Sequence, residues 1–374
     1  MAALFEETMI RGMHLTNRLV RSATWEWMCD DDGRPTDKLA ACYQQLALGG
    51  VGLIISGFAF VRPDGKQHPG KMGIHTDDFA KAHAKLTAAV HAAGGKIAIQ
   101  LVHAGGQTRA AMAGRQPLAP STVEVAQFPE KPAALTADDI AAIVAAFAES
   151  ARRAKAWGYD AVQLHGAHGY LINQFLSPLT NRRSDAYGGS IDKRCRFLED
   201  VHRAVRSAVG PEFPVLIKLN ASDHLAGGLE IDEALAAARA LDAAGIDAIE
   251  VSAGTPASGA RSPVRLKINA PEKEAYNLDL AARIKAAVSC PVIVVGGFRS
   301  YDVAESAVAE GAMDGIALCR PLIREPDLPA RWQAGDHRPA RCISCNGCYK
   351  PGLEEGGIYC IVEKKARAQA ARAE

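Results

Sequence analysis

The stretch AKAWGYDAVQLHG, residues Ala154–Gly166, carries the reading of the fold. A helical run closes on Gly158, the residue type that most readily takes the left-handed backbone needed to stop a helix, and an apolar strand, Asp160–His165, follows at once. That strand ends on a histidine rather than on another apolar residue. The same junction recurs downstream, where DAAGID closes on Gly245 and the strand Asp247–Ser252 (DAIEVS) begins. Further strands are expected at Asn17–Thr24, Val51–Ser56, Lys96–Leu101, Val215–Asn220, Pro291–Gly296 and Asp314–Arg320. The intervals suit helices, among them Asp77–Ala93, Thr136–Trp157, Ser190–Val209, Ile231–Ala244, Leu278–Val288 and Tyr301–Glu310, several opened by a capping Ser, Thr or Asp.

Eight strand-then-helix units with near-continuous apolar strands imply a parallel sheet covered on all sides, and eight is the number that closes as a (β/α)8 TIM barrel of the α/β class. An open, doubly wound sheet is the competitor. Against it, the chain has neither G-x-G-x-x-G after an early strand nor a G-x-x-x-x-G-K-[ST] loop, so a nicotinamide dinucleotide has no dedicated fold here. A length of 374 residues suits one barrel, residues 1–335, with a short C-terminal cysteine-rich extension, residues 336–374. The piece before the first strand is expected to cover the barrel bottom.

Apolar residues at 48% and charged residues at 23% are ordinary globular proportions and exclude a disordered chain. The 43 basic and 42 acidic residues leave a net charge of +1 with no basic stripe, which excludes nucleic acid and anionic membrane and points to a small-molecule partner. Acids at Glu6 and Glu7 break any leader core, and the longest near-apolar run, Val51–Val61, is too short to span a bilayer, so a cytoplasmic location is expected. Of the 9 cysteines, Cys342, Cys345, Cys348 and Cys360 form a C-x-x-C-x-x-C-x11-C pattern. Such crowding suggests metal ligation in a reducing compartment rather than a disulfide framework. Spacing alone leaves [4Fe–4S], zinc and an empty site open.

Barrels of this kind carry their chemistry where strands end, and these ends are polar. Gly296 and Gly297, in VVGGFRS, with Arg320, in ALCRP, offer backbone N–H groups and a guanidinium where barrels commonly bind phosphate. Lys218 sits inside the apolar strand VLIKLN, where a cation needs a partner or a purpose. It could form a Schiff base, could face the N1 and C2=O edge of a flavin with Gln100 on the pyrimidine, or could be ion-paired across the barrel interior. His165 and His168 could ligate metal or hold a carbonyl oxygen, with Tyr170 supplying a proton.

These motifs closely resemble a family. NRLVRSAT, QLVHAGGQ, HGAHGYLINQFLSPLTNRRSDAYGGS, VLIKLN and LCRPLI match, in order, the motifs of the old yellow enzyme family of NADH:flavin oxidoreductases, from about residue 4 to 330. The cysteine pattern resembles that of the branch containing trimethylamine dehydrogenase and 2,4-dienoyl-CoA reductase. The resemblance implies FMN held by Ala23, Thr24, Gly57, Gln100, Lys218, Gly296, Gly297, Cys319 and Arg320. It implies a substrate carbonyl held by His165 and His168, with Tyr170 as proton donor. NAD(P)H would reduce the FMN, which would pass hydride to the C=C bond of an α,β-unsaturated carbonyl compound. Alternatives are an FMN and iron–sulfur subunit serving a separate flavoprotein, and a dienoyl-CoA-reductase-like enzyme; a homo-oligomer is also compatible. In that branch the cluster carries electrons to domains further along the chain, so here it would need a redox partner protein or be structural. Three positions depart from the pattern: Trp25 stands where one branch has a flavin-tuning cysteine, Ser258 about where the dienoyl-CoA reductases carry an acid histidine, and Cys319 where glycine is usual.

Overall fold

The computed structural model describes residues 2–125 and 127–371. Its centre is a closed ring of parallel strands: β1 Leu19–Arg21, β2 Leu53–Phe60, β3 Ile97–Val102, β4 Ala161–Gly166, β5 Val215–Asn220, β6 Ala248–Ser252, β7 Val292–Val295 and β8 Gly315–Leu318. Strands adjacent in sequence are adjacent in the ring, and β8 closes it against β1 through Ile316↔Leu19. The fold is therefore the expected (β/α)8 barrel.

Around it run α1 Asp37–Leu48, α2 Ala80–Ala92, α3 Ala137–Ala156, α4 Ile191–Val209, α5 Ile231–Ala243, α6 Leu278–Lys285, α7 Tyr301–Ala309 and α8 Leu328–Gln333. Local sequence explains their limits. Thr136 and Asp139 form a reciprocal capping box at the start of α3. Gly158 after α3 and Gly245 after α5 take φ of 88° and 81°, the left-handed region that ends a helix cheaply only with glycine. Ser190 and Ser300, by contrast, make no side-chain cap bond.

An N-terminal hairpin, Thr8–Ile10 and Met13–Leu15, closes the bottom as expected: Ile10, Met13 and Leu15 pack on inward residues such as Leu53, Ala161 and Leu216. The first strand is shorter than expected, three residues in place of Asn17–Thr24, and β7 and β8 are trimmed at both ends, whereas one strand is extended. β2 runs on past Ser56 to Phe60, through a register shift between Ile55 and Phe58. The Ser56 hydroxyl bridges the irregularity, donating to Gly57 O at 2.8 Å and accepting from Gln100 N at 3.3 Å, so pairing resumes as Phe58↔Gln100.

The tail carries α9 Tyr349–Glu355 and α10 Ile361–Ala370, and residues 372–374 lie outside the described ones. It packs on the C-terminal mouth of the barrel: Ala340 N donates to Arg299 O at 2.7 Å and Ile358 N to Glu26 O at 3.0 Å. At Gly352 a Cβ would lie 2.4 Å from the Trp27 indole, so the close approach requires glycine. Among the described residues no helix is long and apolar enough to cross a membrane.

Candidate active site

Strand alternation decides what reaches the barrel axis. Ala98, Ala161, Leu216 and Ala248 belong to the apolar floor. Two residues further along each strand, the same inward side therefore presents Gln100 on β3, Gln163 on β4, Lys218 on β5 and Glu250 on β6. The register sets Lys218 beside His165 and Glu250, and Gln100 beside Gln163.

A polar chain results. Gln100 Nε2 donates to Gln163 Oε1 at 2.7 Å, and Gln163 Nε2 donates to Glu250 Oε2 at 2.8 Å. Ser22 Oγ donates to Glu250 Oε1 at 2.6 Å, while Lys218 Nζ donates to Ser22 Oγ at 2.8 Å and lies 3.2 Å from Glu250 Oε1. Glu250 is fully buried. Of the three purposes open to Lys218, the ion pair across the interior is present. Glu250 and Gln163 are absent from the strand-end pattern, although an acid inside AIEVS is the same signal as a lysine inside VLIKLN.

Above this layer lies a cavity of about 240 Å³, walled by Ala23, Thr24, Gln100, His165, His168, Tyr170, Lys218 and Cys319 among others. The His165 ring is 5.3 Å from that of His168 and 4.6 Å from that of Tyr170, centre to centre. His168 takes φ of 59°, and its Nε2 sits 2.8 Å from Ser252 Oγ. Burial first, then the neighbouring His168, Lys218 and Lys71, holds His165 well below the ordinary imidazole range. Burial and Lys218 push His168 down to about 3. Both rings are therefore neutral near pH 7, each with one N–H to donate. Burial raises the Tyr170 phenol, so it keeps its proton; its hydroxyl donates to Gln67 Oε1 at 3.1 Å.

A smaller pocket of about 60 Å³ adjoins, sharing Val295, Cys319 and Tyr349 with the first and bounded by Gly297 and Arg320. Gly297 has φ of 78° and a Cβ there would meet the Tyr276 ring at 2.7 Å, so no other residue fits. Gly296 backs onto Asn277 N. Arg320 Nη1 donates to Arg265 O and Asn346 Oδ1, both at 2.7 Å, which fixes the guanidinium. Gly57 is engaged elsewhere: its N–H donates to Tyr43 Oη at 2.8 Å, and the neighbouring Phe58 lines the cavity instead. Thr24 Oγ1 lies 2.7 Å from Cys319 Sγ. The Trp25 indole stacks on Trp27 at 3.5 Å. Ser258 Oγ donates to Asp223 O at 2.6 Å and accepts from Thr255 N at 2.8 Å, which ties it to the loop after β5 and into its own turn.

Left-handed backbone at Ser344 and Asn346, φ 52° and 58°, folds the tail so that Cys342, Cys345, Cys348 and Cys360 all line one cavity of about 20 Å³. Among the described residues, however, no three His, Cys, Asp or Glu side chains stand close enough together to hold a metal ion.

Residues 3–338 match the NADH:flavin oxidoreductase / NADH oxidase family. The chain is 38% identical over 349 residues to an NADH oxidase of Thermoanaerobacter brockii, covering 92% of this chain and 53% of that protein. It is 36% identical over 372 residues to a metal reductase of Desulforamulus reducens, covering 99% and 55%. The chain thus spans about half the length of these curated relatives. A solved structure of 2-naphthoyl-CoA reductase with 2-naphthoyl-CoA superposes with a TM-score of 0.88 at 28% identity, over 96% of this chain and 56% of that one.

Proposed function

This chain belongs to the NADH:flavin oxidoreductase / NADH oxidase family, and on that premise we propose that it is an FMN-dependent NAD(P)H oxidoreductase that reduces the C=C bond of α,β-unsaturated carbonyl compounds. The supporting observation is the convergence, in one cavity at the strand ends, of Gln100 and Lys218 with His165, His168 and Tyr170. The donor set suits FMN: an amide and an ammonium for the pyrimidine edge, and a glycine turn with a fixed guanidinium in the adjoining pocket for the phosphate. Ala23, Thr24 and Cys319 in the cavity wall, with Gly296 beside Gly297, would complete its surroundings, whereas Gly57, its N–H held by Tyr43, stands outside that wall. Bound there, the flavin would carry hydride from NAD(P)H to the β carbon of the alkene.

The protein's own work is positioning and proton transfer. Neutral His165 and His168 each donate one N–H to the substrate carbonyl oxygen and draw electrons from the β carbon. Tyr170, kept protonated by burial, gives its proton to the α carbon. Lys218 does not stand free as a nucleophile, since Ser22 and Glu250 hold its Nζ, which speaks against a Schiff-base role. Ser258, tied into its turn, speaks against a dienoyl-CoA-type second acid.

The extension 336–374 is read as a soft-metal site built on the barrel 1–335. Four thiols around one cavity suit a thiolate-bound centre chemically. With a cavity of about 20 Å³ and no three of the described thiols within ligating distance, either a single ion or a cluster would require the thiols to rearrange around it. A second reading, electron transfer to a separate flavoprotein, is favoured by the contact run Trp25–Trp27–Tyr349 from the cavity to the residue after Cys348. The test is an anaerobic spectrum of the purified chain with iron, sulfide and zinc analysis. Flavin bands near 450 nm that bleach with NAD(P)H alone and return on adding an enone support the reductase. A flavin that NAD(P)H alone leaves oxidised defeats it in favour of the second reading.

A further inference from the structure

Lys71 lies in the wall of the cavity that holds His165, His168 and Tyr170, and it is 2% exposed. Its Nζ sits 3.7 Å from the centre of the Trp25 ring and 3.7 Å from that of Phe58. Among the described residues it has no carboxylate in ion-pairing contact. Glu26, the acid whose charge reaches it, is already bonded to Arg21 and to the Tyr43 hydroxyl. Lys218 is no counter-charge, being paired with Glu250, and the two histidines are neutral.

The cavity therefore holds one amine that has no counter-charge for its ammonium form beside the carbonyl-holding pair. Ring faces contribute about 0.5–2 kcal/mol each, whereas taking an ammonium out of water costs several. An anion brought by a ligand closes that gap. On the reading proposed for this site, we propose that Lys71 is a specificity-determining residue that selects unsaturated carboxylates over neutral enones and esters, its ammonium pairing with the substrate carboxylate. Burial without a counter-ion holds the free Lys71 amine well below its ordinary range, and a bound carboxylate restores the charged form.

The experiment uses the oxidised FMN holoenzyme, so that no charge from reduced flavin intervenes. Calorimetric titration compares trans-cinnamate with methyl trans-cinnamate, and NADPH bleaching is followed separately. The expected result is that cinnamate binds about tenfold or more tighter than the ester. Lys71→Met should erase that preference by weakening cinnamate alone, and Lys71→Arg should keep it. Equal affinity of acid and ester in the wild type, or equal weakening of both by Lys71→Met, would overturn the inference. Loss of FMN from Lys71→Met also overturns it, by assigning the ammonium to the flavin. Failure to bleach with intact cinnamate discrimination would instead sink the reductase reading and leave the carboxylate site standing.

Discussion

Lys218→Met removes a charge from the barrel interior while roughly keeping the side-chain length. Glu250, with no exposed surface, would then be left with only the Ser22 hydroxyl and the Gln163 amide as donors. Breaking one side of a buried pair costs about 3–5 kcal/mol, chiefly because the other charge is stranded. Unfolding entropy of about 2.1 cal/mol/K per residue gives this 374-residue chain about 0.8 kcal/mol/K, so the melting temperature should drop by about 4–6 °C. Glu250→Gln strands Lys218 instead and should cost a similar amount. The double variant leaves neither charge alone, so its loss should fall short of the sum of the singles by about 3 kcal/mol. Urea unfolding of the four proteins closes the cycle. Strictly additive losses, or a single loss below about 1 kcal/mol, would refute the buried-pair account.

Tyr170→Phe should leave flavin reduction by NAD(P)H within about twofold and slow alkene reduction about 10²–10⁴-fold, since only the second step needs its proton; stopped-flow measurement of both half-reactions checks this, and equal slowing removes Tyr170 from the acid role. His202 is buried, and burial and then Arg206 push it down to about 4 from an ordinary value near 6.5. Between those values the unfolded chain holds a proton that the folded one lacks, so stability is fully present above about pH 6.5 and falls on acidification by about 1.4 kcal/mol per unit. His202→Leu should lower the slope of stability against pH across that window, measured by urea unfolding, by about 1.4 kcal/mol per unit, the shares of buried His83, His165 and His168 remaining, and an unchanged slope counts against the assignment. At Gly57 a Cβ would lie 2.3 Å from Glu26 Oε2 and 2.7 Å from Thr24 O, so Gly57→Ala should cost about 1–3 kcal/mol through the Arg21–Glu26 pair; a melting temperature equal to the wild type would show that the strand end yields.

What the chain declares locally is its backbone plan. Runs such as VLIKLN and DAVQLH, the helix stops at Gly158 and Gly245 and the capping box at Thr136 depend on neighbours within a few residues, so strands, helices and their number are legible without a structure. Polar residues inside apolar strands are equally legible as sites of chemistry, which is why Gln100, His165 and Lys218 stand out. Who meets whom is not. Glu250 and Lys218 face each other only because β5 and β6 pair in that register, and the β2 irregularity that turns Phe58 into the cavity depends on a side chain bridging to β3. Lys71 gives no local sign at all, since it stands in the loop after β2 and reaches Trp25 and Phe58 only in the folded barrel. The cysteine spacing announces a soft-ligand motif, and only packing decides that its thiols share one small cavity without three of them reaching ligating distance. Secondary structure follows from short-range sterics and hydrogen bonding, whereas charge compensation and cavity shape follow from contacts between residues far apart in the chain, and those exist only once the barrel has closed.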